Sequence, residues 1–188
     1  MFQRHNNFEI MLNLSITELR KHFLTKSLLP SSVIRQAVNR SNLLCDLNIF
    51  ITPTPEVASK QASEADERYQ DNKSLGPLDG VSIAVKDNFC TKGVKTSCGS
   101  KMLENFVAPY NSTVVQKCLD EGGIMMGKTN LDEFAMGSGT IDSHAGPTKN
   151  IWGSTIPYDV KDENGNKLVE HFPRYRSFSQ FRHLKLKC

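Results

Sequence analysis

The sequence predicts an α/β fold, and three observations carry that prediction. Two short apolar runs, residues 81–85 and 124–126, flank one amphipathic stretch that opens at Ser112. A strand, a helix and a strand in that order favour a parallel pair joined by a right-handed crossover. Ahead of them lie stretches with helical apolar spacing and helix-start signals, so helices precede the sheet.

Each element has its own signal. Ser15-Ile16-Thr17-Glu18 is a capping box, followed by Ile16, Leu19, His22 and Phe23 at helical spacing. After Pro30, Ser31 and Ser32 are candidate caps for a second helix whose apolar stripe, Val33, Ala37 and Val38, ends near Asn39. Leu47-Asn48-Ile49-Phe50-Ile51 reads as a short strand. Thr54-Pro55-Glu56 then starts a helix with a cap residue, a proline in the first turn and an acid near the positive end. Its continuation, 58–69, is rich in Ala, Glu, Lys and Gln and reads as mostly solvated. In the middle section, Val114, Val115, Cys118 and Leu119 mark the crossover helix, and Gly122-Gly123 stops it. Lys86 and Lys128 are then both expected at carboxyl ends of parallel strands, where open α/β sheets bind ligands.

Composition excludes several classes. With 188 residues, 38% hydrophobic and 23% charged, the chain fits a globular domain rather than a disordered tail. No apolar run approaches the roughly 18 residues that a spanning helix needs, so no membrane association is expected. A net charge of +3 is small and dispersed, unlike the gathered basic face that tracks phosphates. The five cysteines (45, 90, 98, 118 and 188) are odd in number and form no Cys-x-x-Cys pair. That argues against a zinc site and against a disulfide framework, and for reduced thiols in an intracellular compartment. Residues 1–10 lack the apolar core of a secretory signal, so the glycosylation patterns at Asn13 and Asn111 read as chance matches.

Four motifs bear on chemistry. Lys86 stands where strand 81–85 must emerge, either as a strand-end charge reaching water or as a base, since burial that lowers a lysine pKa lets the amine take a proton from a serine. Gly122-Gly123-Ile124-Met125-Met126-Gly127-Lys128-Thr129 satisfies the phosphate-loop pattern. However, a helix rather than a strand precedes it, and Ile-Met-Met suits a strand core better than a cradle. Asn130 with Glu133 forms a capping pattern for a short helix that opens into the loop Gly137-Ser138-Gly139, which either lines a pocket or simply connects. Asp87 reads as a residue that orients the loop, and His144 as a surface or packing histidine without metal-like partners. The last residues, 171–188, interleave bases with aromatics. Binding of single-stranded nucleic acid is one reading, and an unstructured terminus is the other.

The runs Gly80-Val81-Ser82-Ile83-Ala84-Val85-Lys86-Asp87-Asn88, Ala108-Pro109-Tyr110-Asn111-Ser112-Thr113-Val114-Val115, Gly127-Lys128-Thr129-Asn130-Leu131-Asp132-Glu133-Phe134-Ala135-Met136-Gly137-Ser138 and Gly146-Pro147-Thr148-Lys149-Asn150 together resemble the amidase signature family. Within it, the Asp-Glu-Phe-Ala-Met-Gly-Ser run is most similar to the tRNA-dependent subunits. The resemblance covers about 11–152. It implies an amidase-type sheet that is mixed and mainly parallel, and a glutaminase site made of a serine nucleophile, a second serine with a cis peptide bond, and a proton-relaying lysine. Lys86 matches that lysine, and Met136, Gly137 and Ser138 match the loop bordering the acyl pocket. The resemblance further implies that glutamine is the substrate and that this type of polypeptide itself has no cofactor. ATP and Mg act through a B subunit, and a C subunit braces the complex. By the same resemblance, tRNA is met only through that complex, and the setting is the mitochondrial matrix. After Asn150 the family proceeds to a Gly/Ser-rich segment that supplies both serines and the oxyanion donors, whereas here only Gly153-Ser154 follows. The expected organisation is an N-terminal extension 1–10, the N-terminal part of an amidase domain 11–152, and a divergent tail 153–188. The chain is expected to be truncated and inactive alone, with a non-catalytic fragment or isoform that binds the partner subunits as the alternative.

Overall fold

The computed structural model describes residues 14–150. The extension 1–10, the tail 153–188, Asn13 and Cys188 lie outside the described residues. In chain order the elements are α1 (Ile16–Leu24), α2 (Pro30–Leu43), β1 (Phe50–Pro53), α3 (Pro55–Gln70), β2 (Ser82–Lys86), α4 (Thr113–Asp120) and β3 (Ile124–Thr129). The sheet order is β1-β3-β2, with β2 parallel and β1 antiparallel to β3. The sheet is therefore mixed, and the strand-helix-strand unit predicted from sequence is present.

β3 is central and wholly buried because helices cover both of its faces. On one face Ile124 and Met126 pack with Ala58, Ala62 and Ala65 of α3 and with Ile34 of α2. On the other face Met125 joins Val85 of β2 and Val115 of α4. The alanines of α3 recur at helical spacing, and with Tyr69 they form a narrow buried stripe that lets helix and sheet approach closely. Most of α3 is indeed solvated, with four of its sixteen residues buried, but that narrow alanine-and-tyrosine face packs in the core. Tyr69 extends the stripe to a second cluster with Phe23 and Val33, its ring centroid 5.5 Å from that of Phe23.

Helix ends follow local chemistry where tertiary structure does not intervene. Ser15 Oγ accepts from the Glu18 amide (3.3 Å) and the Ser15 amide donates back to the Glu18 carboxylate (2.7 Å), completing the capping box. The Ser15 hydroxyl also donates to the Glu18 carboxylate (2.7 Å), and this bond, together with the one from the Ser15 amide, holds the Glu18 carboxyl below the usual carboxylate range. α2 starts at Pro30 after Leu29 instead of at a serine cap, and the Ser31 amide is satisfied by Asp66 of α3 (3.0 Å). It also runs past Asn39 to Leu43. Thr54 precedes α3 as expected, but its hydroxyl donates to the Met125 carbonyl (3.1 Å) and thereby fastens the helix start to β3. β1 begins at Phe50, later than expected, because Cys45–Leu47 form a 3₁₀ turn and Asn48 is left-handed (φ 55°). The Asn48 amide then donates to the carbonyls of Ala145 (2.8 Å) and Gly146 (2.9 Å), and Thr148 Oγ1 donates to the Asn48 carbonyl (2.9 Å). This clasp joins the two ends of the sheet unit.

The two glycines of the phosphate-loop pattern serve the fold. Gly122, at φ +86°, ends α4 in a Schellman arrangement: its amide donates to the Leu119 carbonyl and the Gly123 amide to the Cys118 carbonyl, both at 2.9 Å. A Cβ at Gly122 would lie 2.5 Å from Asp79 Oδ1. Gly127, at φ +154°, sits within β3, where a Cβ would lie 2.8 Å from both Phe50 Cδ1 and the Thr52 carbonyl of β1. The intervening Ile124, Met125 and Met126 are buried strand residues, the Ile124 amide donating to the Val81 carbonyl (2.8 Å) and the Met125 amide to Gln61 Oε1 (2.8 Å), so these residues do not form a phosphate cradle.

Candidate active site at the carboxyl ends of the parallel strands

β2 is an edge strand, and only part of it is buried: Ser82 and Ala84 are exposed, Val85 is buried and Lys86 is half-buried. The small, β-branched and apolar run 81–85 predicts a buried strand, and the exposure of Ser82 and Ala84 corrects that expectation. Strand alternation explains the pattern, since Ile83 and Val85 face α4 while Ser82, Ala84 and Lys86 face the opposite, uncovered side. Lys86 is the last residue of β2 and pairs with Thr129, the last residue of β3. Among the described residues nothing hydrogen-bonds or ion-pairs with its ammonium.

Lys128 pairs in register with Val85 and is fully buried, although it was expected to be a strand-end residue like Lys86. Its ammonium donates to Thr96 Oγ1 (2.8 Å) and to the Phe89 carbonyl (2.9 Å), and lies 3.2 Å from Asp87 Oδ1 in an ion pair with no exposed surface on either partner. Burial pulls the Lys128 pKa down, and the Asp87 carboxylate opposes that shift. Asp87 is equally committed: its Oδ2 accepts from the Ser97 amide (2.9 Å) and hydroxyl (2.6 Å), and its own amide donates to the Thr129 carbonyl (3.1 Å). These bonds fold the segment after β2 back over the strand ends.

Ser97 also lies 3.3 Å from His144 Nε2. The single Ser97 hydroxyl proton goes to Asp87, so the histidine nitrogen must donate to Ser97 Oγ rather than accept from it. That polarity is the reverse of an activated serine, and no nucleophile arises here. His144 is exposed and borders an open cleft of about 180 Å³, lined also by Ser97, Thr52, Lys95, Glu104 and Asn105. Neither Lys86 nor residues 136–138 line that cleft.

The second group of predicted site residues lies past the end of β3. Asn130 caps no regular helix: its carbonyl oxygen accepts from Ser143 Oγ (2.6 Å) and from the Leu131 amide (2.9 Å), while its amide donates to Gly146 (2.8 Å) and Asn48 (3.3 Å). The expected short helix is only a 3₁₀ turn, Glu133–Ala135, in which Phe134 (φ 50°) and Ala135 (φ 64°) are left-handed. Two adjacent non-glycine residues in that region store strain. Met136, Gly137 and Ser138 follow and are exposed, Met136 at 80%. Two backbone bonds tie this turn to the segment after Lys86: Cys98 donates to the Asp87 carbonyl (3.3 Å), and Phe134 donates to the Cys98 carbonyl (2.8 Å). Lys86 and the Met136 loop thus belong to one end of the parallel pair. Among the described residues no group of His, Cys, Asp and Glu has metal-binding geometry, the four described cysteines are free, and no helix is long and apolar enough to cross a membrane.

Sequence reasoning placed Lys128 at this end of the sheet but missed its burial, and it missed Thr96 and Ser97 as parts of the same end. The one local hint was a lysine closing an otherwise apolar strand, a pattern that calls for a buried counter-charge.

The amidase family model matches residues 32–156, the stretch that holds the parallel pair, Lys86, Asp87 and Lys128; the chain belongs to the amidase family. It is 52% identical over 142 residues to the A subunit of the mitochondrial glutamyl-tRNA(Gln) amidotransferase of Ixodes scapularis, a match that covers 76% of this chain and 28% of that protein. The chain therefore spans under a third of the length of that relative. Among solved structures, the A subunit of the Thermotoga maritima glutamyl-tRNA(Gln) amidotransferase superposes with a TM-score of 0.53 at 30% identity, covering 77% of this chain and 27% of that one. A chain of a vestigial protein complex that bears on the origins of an s-triazine catabolic enzyme superposes with a TM-score of 0.70, also at 30% identity, covering 74% of this chain and 31% of that one.

Proposed function

We propose that this chain is the N-terminal portion of the A subunit of a mitochondrial glutamyl-tRNA(Gln) amidotransferase, and that Lys86 is its proton-relaying lysine. The observation that carries the reading is the position of Lys86: last residue of a parallel strand, on the uncovered face, with an ammonium that no described residue engages. The 52% identity to a mitochondrial A subunit supports the choice within the family. In the complete site, Lys86 takes the proton from a serine nucleophile and passes it, through a second serine held by a cis peptide bond, toward the departing ammonia. Met136, Gly137 and Ser138 border the glutamine side chain. The released ammonia serves a B subunit, which uses ATP and Mg to convert glutamate on tRNA(Gln) to glutamine, with a C subunit bracing the assembly in the mitochondrial matrix.

Residues 151–188 supply no Gly/Ser-rich segment, and Gly153-Ser154 alone provides neither the two serines nor the oxyanion donors. The 188-residue chain by itself is therefore expected to hydrolyse no glutamine. Ammonia release from glutamine by the purified chain, lost on Lys86→Ala, would overturn the inactive reading. Restoration of glutaminase activity when a separate polypeptide with the remaining family segments is co-expressed, and its loss on Lys86→Ala in that pair, supports the role of Lys86.

A further inference from the structure

We propose that Asp87 and Lys128 are positioning residues whose buried ion pair locks the register of β2 against β3 and so holds Lys86 on the opposite, open face of the sheet. The inference rests on the reading of Lys86 as the proton-relaying lysine. It starts from three consecutive residues, Val85, Lys86 and Asp87. Val85 packs against Val115 and Met125 on the α4 side, and Lys128 is its register partner; the β2–β3 ladder skips Met126 in an irregularity between Ile83 and Ala84, so Lys128, three residues after Met125, leaves the sheet on that same side. Asp87, two residues beyond Val85, returns to that side and meets the Lys128 ammonium at 3.2 Å. Lys86, between them, must leave on the other side, where Ser82 and Ala84 are exposed.

Neither charge has anywhere else to go. Asp87 is held by the Ser97 amide and hydroxyl and by its own amide on the Thr129 carbonyl, and Lys128 by Thr96 Oγ1 and the Phe89 carbonyl. Both side chains are fully buried. A slip of one residue would exchange Lys86 with Asp87, leave Lys128 facing a second lysine without a counter-charge, and turn the carboxylate out to the open face. Fixing a register is the best-attested use of a buried ion pair. Here the register in question decides which face carries the reactive amine.

Competitive labelling of the 188-residue protein with acetic anhydride, with modified lysines located by peptide mass spectrometry, gives a rate against pH for each lysine. In the wild type Lys86 is expected to label, while Lys128 is protected at least 100-fold relative to the exposed Lys117. In Asp87→Asn the Lys86 profile is expected to move by at least half a pH unit and its rate to change at least threefold, with Lys60 and Lys117 unchanged. Asp87→Glu restores most of the wild-type profile, and Thr96→Val produces a smaller shift in the same direction. Circular dichroism establishes which variants fold, and Thr96→Val decides the matter if Asp87→Asn does not. A Lys86 profile superimposable on the wild type in the folded variants, or one that moves together with Lys60 and Lys117, overturns the proposal. Labelling needs no glutamine hydrolysis, so failure of the glutaminase reading leaves this test intact.

Discussion

Two lysines stand one register step apart on neighbouring parallel strands, and they have opposite fates. Lys128 is fully buried, donates to two protein oxygens and faces Asp87, whereas Lys86 is half-buried and faces an uncovered surface. The difference comes from alternation along the strand combined with coverage of only one side of β2 by α4. Nothing in the lysines themselves distinguishes them. A lysine at a strand end acquires a structural or a chemical role from the face it leaves by and from the place of the nearest carboxylate.

The sharpest way to break this comparison is to remove one member of the buried pair. Lys128→Met or Asp87→Ala should destabilise the chain by about 3–5 kcal/mol, because each leaves an uncompensated buried charge. Lys86→Met should change stability by no more than about 0.5 kcal/mol. Urea unfolding of the three variants tests both statements, and equal losses for Lys86 and Lys128 would erase the distinction. Next in size, Gly127→Ala should cost about 1–3 kcal/mol, since the residue is left-handed and its new methyl meets Phe50 and the Thr52 carbonyl. Equilibrium dialysis should show no ATP binding by either the wild type or this variant. ATP binding lost on Gly127→Ala would revive the phosphate-loop reading.

The pH dependence separates the lysines more gently. Burial lowers the folded-state pKa of Lys128, so between that value and the ordinary lysine value near 10.4 the unfolded chain binds more protons than the folded one. This group's contribution to stability therefore rises with pH across that window, by at most about 1.4 kcal/mol per unit. Tyr69 and Cys98, whose pKa values burial raises, act in the opposite sense at alkaline pH. The difference between wild type and Lys128→Met isolates the lysine, and a difference that is flat from pH 7 to 10 would contradict the assignment. The smallest effect belongs to Glu18→Gln. The carboxyl pKa is lowered in the fold, so its contribution is present above the ordinary carboxylate range and is lost as pH falls through it. Amide exchange should show fraying confined to α1 and insensitive to pH in the variant.

What the sequence disclosed followed the range of the interactions involved. The capping box at Ser15 and the helix stop at Gly122 are contained within a few residues, and both were readable. The core face of α3 was missed because alanine gives little hydrophobic signal, and the stripe of Ala58, Ala62 and Ala65 acquires meaning only against β3. Asn130 carries the local pattern of a cap, but tertiary partners in Asn48, Ser143 and Gly146 take its amide instead. The burial of Lys128 had only the hint of a lysine closing an apolar strand, since its counter-charge, its threonine and its carbonyl acceptor all lie in the segment after β2. Lys86 could be placed at a strand end from sequence, but its open face depends on which side α4 covers.

The clasp between Asn48 and residues 145–148 has a consequence for the order in which this chain acquires its structure. β1 lacks its full set of strand partners until residues 127–129 have been synthesised, and Asn48 lacks its carbonyl acceptors until residues 145–147 have followed. Helices α1 to α3 can dock earlier through Phe23, Val33 and Tyr69, but the apolar face of α3 toward β3 stays uncovered through that interval. Contacts at such separations make folding slow relative to a local helical bundle. A nascent chain halted near residue 120 should therefore present exposed Ala58, Ala62, Ala65 and Phe50 to chaperones, and one extended past residue 150 should not.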